Sequence, residues 1–406
     1  MRRTLPAVLL LPCTMVYAQT TAPGAGRTFG GDIDFLKRHT KVIVLEDGPA
    51  QVVVAPAWQG RVMTSTARGP SYEGYGWIND ELIASGKTTP HINVWGGEDR
   101  FWLGPEGGQY AIFFKPGDAF DLEHWQTPAC IDTDAYEVVA KSERHVALRH
   151  RASLTNYSGT KLDVQIDRIV RLLTPDEAAQ ALGARPGPGV KLVAYQSENM
   201  ITNAGQQPWT RQTGLLSIWI LGMFKPSPQV TVVIPFHEGS VAERGAVVND
   251  AYFGKVPADR LKVDRGVLFF KGDGQLRSKI GVGPKRAKPV IGSYDAARGV
   301  LTIVQYTLPE GATDYVNSMW EIQKEPYGGD VVNSYNDGPP KPGAKPLGPF
   351  YELETSSPAL ALPAGESATH AHRTFHFEGP AAELDGIARR LLGVSLERIA
   401  SFGERE

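Results

Sequence analysis

The chain has 406 residues, of which 42% are apolar and 21% charged, so it can bury a large core. Its 42 basic and 44 acidic residues leave a formal charge of −2, which provides no positive field for a polyanion, and no nucleic-acid partner is expected. The length suits one large β domain or two to three smaller domains.

The first eighteen residues have the pattern of a secretory signal. Two arginines precede an apolar run that ends at Ala18, and the run is shorter than the roughly 20 apolar residues of a membrane span. No later segment reaches that length, so no membrane span is expected. We predict a periplasmic or secreted protein cleaved after Ala18. A lipoprotein anchored through Cys13 is the alternative, which Pro12 directly before that cysteine disfavours.

Most of the remaining chain predicts β-structure. Residues 19–30 are small and turn-rich, as in a flexible leader. Residues 31–380 contain at least ten runs of β-branched and aromatic residues bounded by turn residues, which predicts a single all-β domain built as a large antiparallel sandwich. Residues 162–167 alternate strictly between apolar and polar side chains, as a half-buried strand does.

Helical patterns are confined to two places. Thr174 and Glu177 form a capping-box pattern around Pro175, which predicts a short helix over residues 174–182. Residues 381–406 carry an apolar stripe, which predicts a C-terminal helix, and the residues of the stripe are Leu384, Ile387, Leu391 and Leu392.

Known nucleotide and zinc motifs are absent from the sequence, so no cofactor is expected. Three histidines, His370, His372 and His376, share one strand face by parity. A row of outward-facing histidines is favoured here over a metal site, because the segment has no accompanying carboxylate or second shell.

The segment 93–110 collects aromatic and charged side chains among glycines, and its candidate residues are Trp95, Glu98, Asp99, Arg100, Trp102 and Glu106. Tryptophan faces stack on sugar rings, charged groups bind vicinal hydroxyls, and glycines permit close approach of the backbone to a ligand. The alternative is that both tryptophans belong to the core and the charges form an ion pair. The sequence leaves both interpretations open.

Glu198 and Asn199 lie in a polar cluster, which we place at the beginning of a strand before the turn at residues 203–205. A glutamate there would suit a general acid or base tuned by burial. A solvent-facing strand residue is the alternative.

The loop over residues 319–339 carries aromatic and amide side chains and suits the rim of a binding site. Its candidates are Trp320, Tyr335, Asn336 and Asp337. Asn336-Asp337-Gly338 is also a common turn sequence.

Glu352 and Glu354 are two residues apart on a predicted strand and therefore face the same side. If both are buried, their mutual repulsion raises the pKa of one, which suits acid–base chemistry. If they are exposed, they are a solvated face.

The order of these elements resembles the galactose mutarotase-like superfamily, which includes the aldose 1-epimerases, over roughly residues 31–380. Leu353-Glu354-Thr355, with the later turn at 362–366 and a closing strand, is similar to the epimerase strand that carries the catalytic glutamate. Residues 198–205 look like an epimerase segment that begins with a histidine, and Trp95-Gly96-Gly97 resembles the epimerase His-Gly-Gly segment.

By this resemblance, Glu354 is the base that takes the proton from the anomeric hydroxyl, within a β-supersandwich fold. Glu198 and Trp95 replace the two histidines, so the resemblance implies a sugar-binding face more directly than mutarotation. The predicted ligand contacts are Trp95, Arg100, Trp102, Asn199, Trp320, Asn336, Asp337 and Glu352.

Two functions stay open. The first is an enzyme acting at or near the anomeric centre, by epimerisation or glycan cleavage, with Glu354 as base and Glu198 or Glu98 as acid. The second is a glycan-binding protein without catalysis. A scaffold whose tryptophans are all in the core is a third possibility, and the sequence does not address the oligomeric state.

Overall fold

A computed structural model describes residues 26–341 and 343–403. The predicted signal at 1–18 and leader residues 19–25 lie outside the described residues. The helices are α1 (Phe29–His39), α2 (Asp80–Ser85), α3 (Pro175–Leu182), α4 (Val241–Arg244), α5 (Ala381–Leu392) and α6 (Leu396–Gly403). Short 3-10 turns span Pro56–Trp58 and Ala129–Ile131.

The strands, in chain order, are β1 (Ile43–Asp47), β2 (Ala50–Ala55), β3 (Arg61–Thr66), β4 (Arg100–Gly104), β5 (Glu137–Lys141), β6 (His145–Thr155), β7 (Lys161–Leu172), β8 (Lys191–Asn203), β9 (Ser217–Phe224), β10 (Val230–Pro235), β11 (Leu261–Asp264), β12 (Val267–Lys271), β13 (Ser278–Val282), β14 (Val290–Asp295), β15 (Val300–Tyr306), β16 (Val332–Asn336), β17 (Tyr351–Ser356) and β18 (Ser367–Glu378).

These strands form three antiparallel sheets. The ten-stranded sheet has the order β11-β12-β10-β14-β15-β18-β8-β7-β6-β5, and the five-stranded sheet has the order β13-β16-β17-β9-β4. The three-stranded sheet β1-β2-β3 joins the five-stranded sheet through a bridge between Val62 and Asp99, and β2 contacts β7 and β8 of the large sheet. The predicted all-β antiparallel sandwich is confirmed.

The two larger sheets bury the core between them. Phe101, Ile220 and Leu353 of the five-stranded sheet are almost fully buried, and the hydroxyl of Thr355 lies 2.9 Å from the Nε2 atom of His370 in the large sheet. Because side chains alternate along a strand, the residues between these positions face away from the sandwich. We call that side of the five-stranded sheet the outer face.

The helices cover the opposite side of the ten-stranded sheet. Phe375 and Phe377 of β18 point outward from the sandwich and pack in one apolar cluster with residues of α3, α5 and α6. The capping box predicted for α3 is present between Thr174 and Glu177. The predicted C-terminal helical segment is present as two short helices, because Gly393 ends α5 in a left-handed conformation and α6 follows it.

The N-terminal part of the described chain also differs from the prediction. Residues 29–39 were assigned to the flexible leader and the first strand region, but they form α1. Thr28 caps this helix, and Phe29 and Leu36 are fully buried beside the three-stranded sheet. A helical pattern this short carries little periodic signal by itself, since its stability comes from tertiary packing. Within the described residues, no helix is long and apolar enough to cross a membrane.

Candidate active site: a tryptophan-lined cleft

The outer face of the five-stranded sheet carries large and charged side chains in register. Lys279 pairs with Tyr335, Tyr335 with Glu352, and Glu352 with Met223 across β13, β16, β17 and β9. The neighbouring row on the same face ends in Glu354, Leu221 and Arg100, and the next contains Trp219 and Trp102. Period-two alternation in these strands therefore sends apolar residues inward and this chemically varied set outward.

Two adjoining cavities, which we call the cleft, open over this face. The larger has a volume of about 830 Å³ and the smaller about 400 Å³, and they share lining residues that include Glu106, Trp219 and Lys279. Segments from residues 79–94, 122–125, 316–321, 337–340 and 345–350 form the walls. Cavities that hold small ligands have volumes of roughly 300–1,000 Å³, so the larger cavity falls in that range.

Aromatic rings form much of the cleft surface. Trp102 and Trp219 meet edge to face with ring centroids 5.5 Å apart on the floor. Trp125 and Trp320 stack at 5.9 Å with 25° between their planes on the wall. Such rings offer apolar faces to a ligand together with N–H groups at their edges.

Two ion pairs are embedded in the floor. The Nη2 atom of Arg100 donates to Oε1 of Glu352, and the side chains of both residues are almost fully buried. Lys279 Nζ lies 2.9 Å from Oε2 of Glu354, and the same oxygen accepts a hydrogen bond of 3.0 Å from Nε1 of Trp219. Glu352 and Glu354 are 5% and 0% exposed, so both carboxylates of the predicted pair are buried on one face.

This arrangement raises the pKa values of several acids at the cleft. Burial raises the pKa of Glu352, the charge of Arg100 opposes that shift, and the carboxylate of Glu354 adds to it. Burial also raises the pKa of Glu106, against the opposing charge of Lys279. The ion pair with Arg100 favours the ionised form of Glu352. Burial and the repulsion from the adjacent Glu354 carboxylate outweigh that effect, so the pKa of Glu352 is raised. The cleft therefore holds carboxyl groups that keep their protons above the ordinary range.

Several buried polar atoms around the floor have no hydrogen-bond partner among the described residues. They are the Nε atoms of Arg100 and Arg277, the Nε1 atoms of Trp102 and Trp125, and Oε1 of Glu354. Four of these five atoms are N–H donors. Buried donors are normally satisfied, so the cleft is suited to a ligand rich in acceptor oxygens.

Seven of the candidate residues named from the sequence line the larger cavity. Their positions agree with the expectation of one concave site, and they are Arg100, Trp102, Glu106, Trp320, Tyr335, Asp337 and Glu352. Glu354 lies directly under the surface and reaches the cleft only through Lys279 and Trp219. The resemblance made Glu354 the base that contacts the sugar, whereas its side chain is fully buried and Glu352 is the carboxyl that lines the cavity.

Glu198 is not at the cleft, and its expected position is corrected. It lies well inside β8 rather than at a strand beginning, and it pairs with Ala371 of β18. By alternation Ser197 and Asn199 point into the sandwich, so Glu198 points away from it, where Gln196 donates to its carboxylate. Both larger sheets separate Glu198 from the outer face.

Glu98 and Asn199 belong to a buried polar layer between the sheets. Glu98 is fully buried and accepts hydrogen bonds from Ser65 and Tyr195. Asn199 accepts from Arg168 and donates to the backbone oxygen of His370. Neither side chain lines the cavities.

Trp95 and Asn336 also face the protein rather than a ligand. Trp95 stacks on Trp58 with centroids 4.8 Å apart in the cluster that covers α1, so the core interpretation holds for this tryptophan. Asn336 accepts from the backbone N–H of Gly274 and donates to the carbonyl of Leu276. Gly97 has φ 110°, and an added Cβ would lie 2.9 Å from the carbonyl oxygen of Val62, so this glycine permits approach to β3 rather than to a ligand.

The three histidines of β18 are buried, which corrects the expectation of an outward-facing row. His370, His372 and His376 are all 0% exposed and face the five-stranded sheet. Burial lowers the pKa of His370 to about 3 and that of His372 to about 4, so both are neutral. Apolar residues on the other face of β18 are covered by helices, which the sequence of the strand did not reveal.

Other residues of the cleft were missed by the sequence analysis. Trp219 and Lys279 were noted only as parts of strands, and Arg277, Trp125 and Phe253 were not considered. The period-two spacing of Trp219, Leu221 and Met223 indicates that their side chains share one face of a strand. It does not reveal which face is the cleft.

Comparison with solved structures identifies similar folds. The Slr1438 protein from Synechocystis sp. PCC 6803 is 14% identical, and the match covers 84% of this chain and 96% of that protein, with a TM-score of 0.50. A provisionally assigned aldose 1-epimerase from Escherichia coli K12 is 13% identical, covering 84% of this chain and 99% of that protein, with a TM-score of 0.47. A galactose mutarotase related enzyme from Lactobacillus acidophilus is 10% identical, covering 84% and 98%, with a TM-score of 0.45.

These similarities concern the fold alone, and at that level the predicted resemblance to galactose mutarotase-like proteins is confirmed. No curated protein matches the sequence. The sequence model of a family of unknown function, DUF6786, matches residues 27–402, and the chain therefore belongs to that family.

Proposed function

We propose that the cleft binds a carbohydrate and that the protein transfers protons at or near the anomeric centre of the bound sugar. The observation that carries this proposal is the buried carboxyl of Glu352, which lines a tryptophan-walled cavity beside the second carboxyl of Glu354. The fold comparisons are in keeping with a sugar-related role at this coarse level.

The surface chemistry supports a sugar as the ligand. Trp102, Trp125 and Trp320 can cover the apolar C–H faces of a pyranose ring, and the indole N–H groups of Trp102 and Trp125 lack partners among the described residues. Sugar hydroxyls and ring oxygens supply the acceptors that these donors require. A purely apolar ligand would leave the donors unsatisfied at a free-energy cost of about 1–3 kcal/mol each.

The proposed chemistry assigns roles to two carboxyls that line the cleft, Glu352 and Glu106. Exchange of anomers needs an acid for the ring oxygen and a base for the anomeric hydroxyl. We assign the acid to Glu352, because its raised pKa keeps it protonated, and the base to Glu106, whose ionised form is favoured by the charge of Lys279 against the effect of burial. Glu354 and Lys279 act as positioning residues, since Glu354 has no exposed surface with which to contact a sugar.

A non-catalytic glycan-binding protein is the second candidate. The contact between Arg100 and Glu352 favours it, because a carboxyl held by a guanidinium has less freedom to exchange protons with a ligand. In this alternative, the same tryptophans and ion pairs only hold and orient the sugar.

Binding and turnover measurements separate the two candidates. A panel of reducing mono- and disaccharides would be titrated calorimetrically, and anomer exchange of each binder would be followed by NMR magnetisation transfer. The enzyme proposal expects accelerated exchange that falls by about 100-fold or more in Glu352→Gln and Glu106→Gln with binding retained. Glu310→Gln, a surface carboxylate outside the cleft, is the matched control.

Binding without any acceleration by the unmodified protein would support the second candidate and reject the first. Failure of the whole panel to bind would contradict both. Circular dichroism and thermal melts of each variant would confirm that a lost activity does not reflect a lost fold.

We also propose that the protein is exported to the periplasm or the cell exterior after cleavage near Ala18. The support is the sequence pattern of basic residues, apolar run and small residue at the N-terminus. An extracytoplasmic site is where free glycans would meet the cleft.

A further inference from the structure

We infer that the ligand of the cleft is an acidic sugar and that Arg277 binds its carboxylate. This inference rests on the proposed carbohydrate binding and specifies its substrate class. The sequence analysis considered a uronate contact for Arg100, but Arg100 is held by Glu352. The available cation is therefore a different residue.

Arg277 differs from the other cations of the larger cavity. Four Lys or Arg side chains line that cavity, and three of them form ion pairs, Arg100 with Glu352, Lys279 with Glu354 and Lys345 with Glu81. Arg277 forms no ion pair and no hydrogen bond with any residue in the described part of the chain, and its buried Nε is unsatisfied. Its charge and its donors remain available to a ligand.

The guanidinium of Arg277 is oriented by an aromatic ring. Its Cζ atom lies 4.0 Å from the ring centroid of Phe253, and both side chains line both cavities. An arginine stacked on a ring keeps its N–H groups directed from the edge of the plane, where they can donate in parallel to two oxygens. The position is next to β13, two residues before Lys279, at the junction of the two cavities.

Asp337 is the acidic residue nearest to Arg277 along the pairing of β13 with β16, and it does not neutralise the charge of Arg277. Asp337 accepts hydrogen bonds from Tyr335 Oη at 2.6 Å and from the Gly348 N–H at 2.8 Å. Burial raises the pKa of Asp337, and hydrogen bonds and the charge of Arg277 only partly oppose that shift. Among the described residues, Asp337 is held by these donors and not by an ion pair with Arg277, which leaves the guanidinium available to an incoming anion.

The charge balance favours a carboxylate over a phosphate. A hexuronate carries one negative charge, which a single guanidinium can match in a planar, bidentate contact. A phosphate monoester carries about −1.5 to −2 at neutral pH, and the cleft offers only one cation without an ion pair among the described residues, beside several carboxyl groups. Neutral sugars would leave the N–H donors of Arg277 facing a hydroxyl rather than an anion.

Calorimetric titration with matched sugars tests this inference. The probes are glucuronate, galacturonate and mannuronate, each compared with its neutral hexose and the hexose 6-phosphate, at low and high salt. For at least one configuration we expect the hexuronate to bind about tenfold or more tightly than the hexose, as charge-assisted hydrogen bonds provide. Arg277→Gln should abolish that preference, so that the hexuronate and its neutral hexose bind with similar affinity.

Arg211→Gln is the matched control, because Arg211 also stacks on an aromatic ring, Tyr327, but outside the cleft. Equal binding of hexuronates and hexoses, or a preference that survives Arg277→Gln, would overturn the carboxylate inference while leaving sugar binding intact. Tighter binding of the 6-phosphates would replace the carboxylate by a phosphate and overturn it as well. Absence of binding by every probe would overturn this inference together with the proposed function.

Discussion

The carboxyl of Glu352 combines burial, a neighbouring carboxylate and a guanidinium contact at the floor of the cleft. Desolvation penalises the charged form, and Glu354 adds repulsion, so the proton is retained above the ordinary pKa of 4.5. A carboxylic acid that stays protonated near neutral pH can donate to a ring oxygen. This property depends on the surroundings of the residue and not on its type.

The raised pKa of Glu352 gives the proposed activity a defined pH dependence. Because the proposed acid must be protonated and the proposed base ionised, we expect the anomer-exchange rate to fall as pH rises through the raised pKa of Glu352 and to fall again at low pH as Glu106 takes up a proton. Glu352→Gln should remove this alkaline limb together with most of the rate. Rates measured by NMR from pH 5 to 9 check this, and an alkaline limb that persists in the variant would assign it to another group.

The buried pair between Arg168 and Asp99 is expected to dominate the polar layer. Both side chains are 0% exposed, and Arg168 also donates to the backbone oxygen of Gly60. Burial raises the pKa of Asp99, but the charge and hydrogen bond of Arg168 outweigh it and hold the pKa below its ordinary value. The stabilisation from this pair is therefore present at neutral pH and is lost as pH falls through the lowered pKa.

We predict that Arg168→Met lowers the free energy of unfolding by about 3–5 kcal/mol, because it leaves Asp99 buried without its counter-charge. Arg149→Met is the control, since Arg149 forms an exposed pair with Asp167 on the neighbouring strands, and such pairs contribute about 0–1 kcal/mol. Denaturant unfolding at pH 7 measures both values. Similar losses in the two variants would contradict the importance assigned to burial.

At the scale of elements, strand β17 shows how one alternation serves both the core and the cleft. Leu353 and Thr355 face the sandwich, while Glu352 and Glu354 face outward. The equal parity of the two glutamates follows from the sequence once residues 351–356 are assigned to a strand. Which of the two alternating sets of side chains faces outward depends on the sheet against which the strand packs.

The last helix, α6, is expected to contribute strongly to stability although it is only eight residues long. Ile399 is 0% exposed and belongs to the cluster that covers the ten-stranded sheet. Ile399→Ala should lower the free energy of unfolding by about 2–5 kcal/mol through the cavity it creates. Glu397→Ala, at an exposed position of the same helix, should change it by about 0.5 kcal/mol or less. Equal effects in urea unfolding would mean that α6 is not docked as described.

At the scale of the whole molecule, the five-stranded sheet separates two polar environments, the layer inside the sandwich and the cleft on the outer face. In the interior layer, Arg168 donates to Asp99 and Tyr195 donates to Glu98, away from the cleft. The outer face keeps several donors without partners among the described residues beside an open cavity. Access to a cavity therefore distinguishes the binding site from the structural polar core, although both contain glutamate and arginine.

The proposed export of the protein gives a further testable prediction. When the full-length protein is expressed in a Gram-negative host, we expect it in the periplasmic or culture fraction with Gln19 as the first residue, since the cleavage pattern ends at Ala18. N-terminal sequencing or intact-mass spectrometry measures this. Recovery of a lipid-modified N-terminus at Cys13 would support the lipoprotein alternative, and an unprocessed cytoplasmic chain would contradict export.

Much of the architecture is determined by local sequence. β-Branched runs, strict alternation at 162–167 and the capping box of Thr174 each specify an element through interactions within a few residues, and these elements are present in the structure. The placement of Glu352 and Glu354 on one strand face likewise follows from their spacing of two residues. The helix α1 was missed because its apolar side chains are stabilised by tertiary contacts with the three-stranded sheet, which its own short pattern does not reveal.

The composition of the cleft was decided by the tertiary structure alone. Glu198, Glu98 and Glu352 have the same side chain, but the first points away from the sandwich, the second lies in its interior and the third lines the cavity. Arg277 and Trp219 join Glu352 only because strands distant in sequence pair side by side. Alternation assigns residues to one of two faces, and only the packing of sheet against sheet determines which face becomes core and which becomes a site.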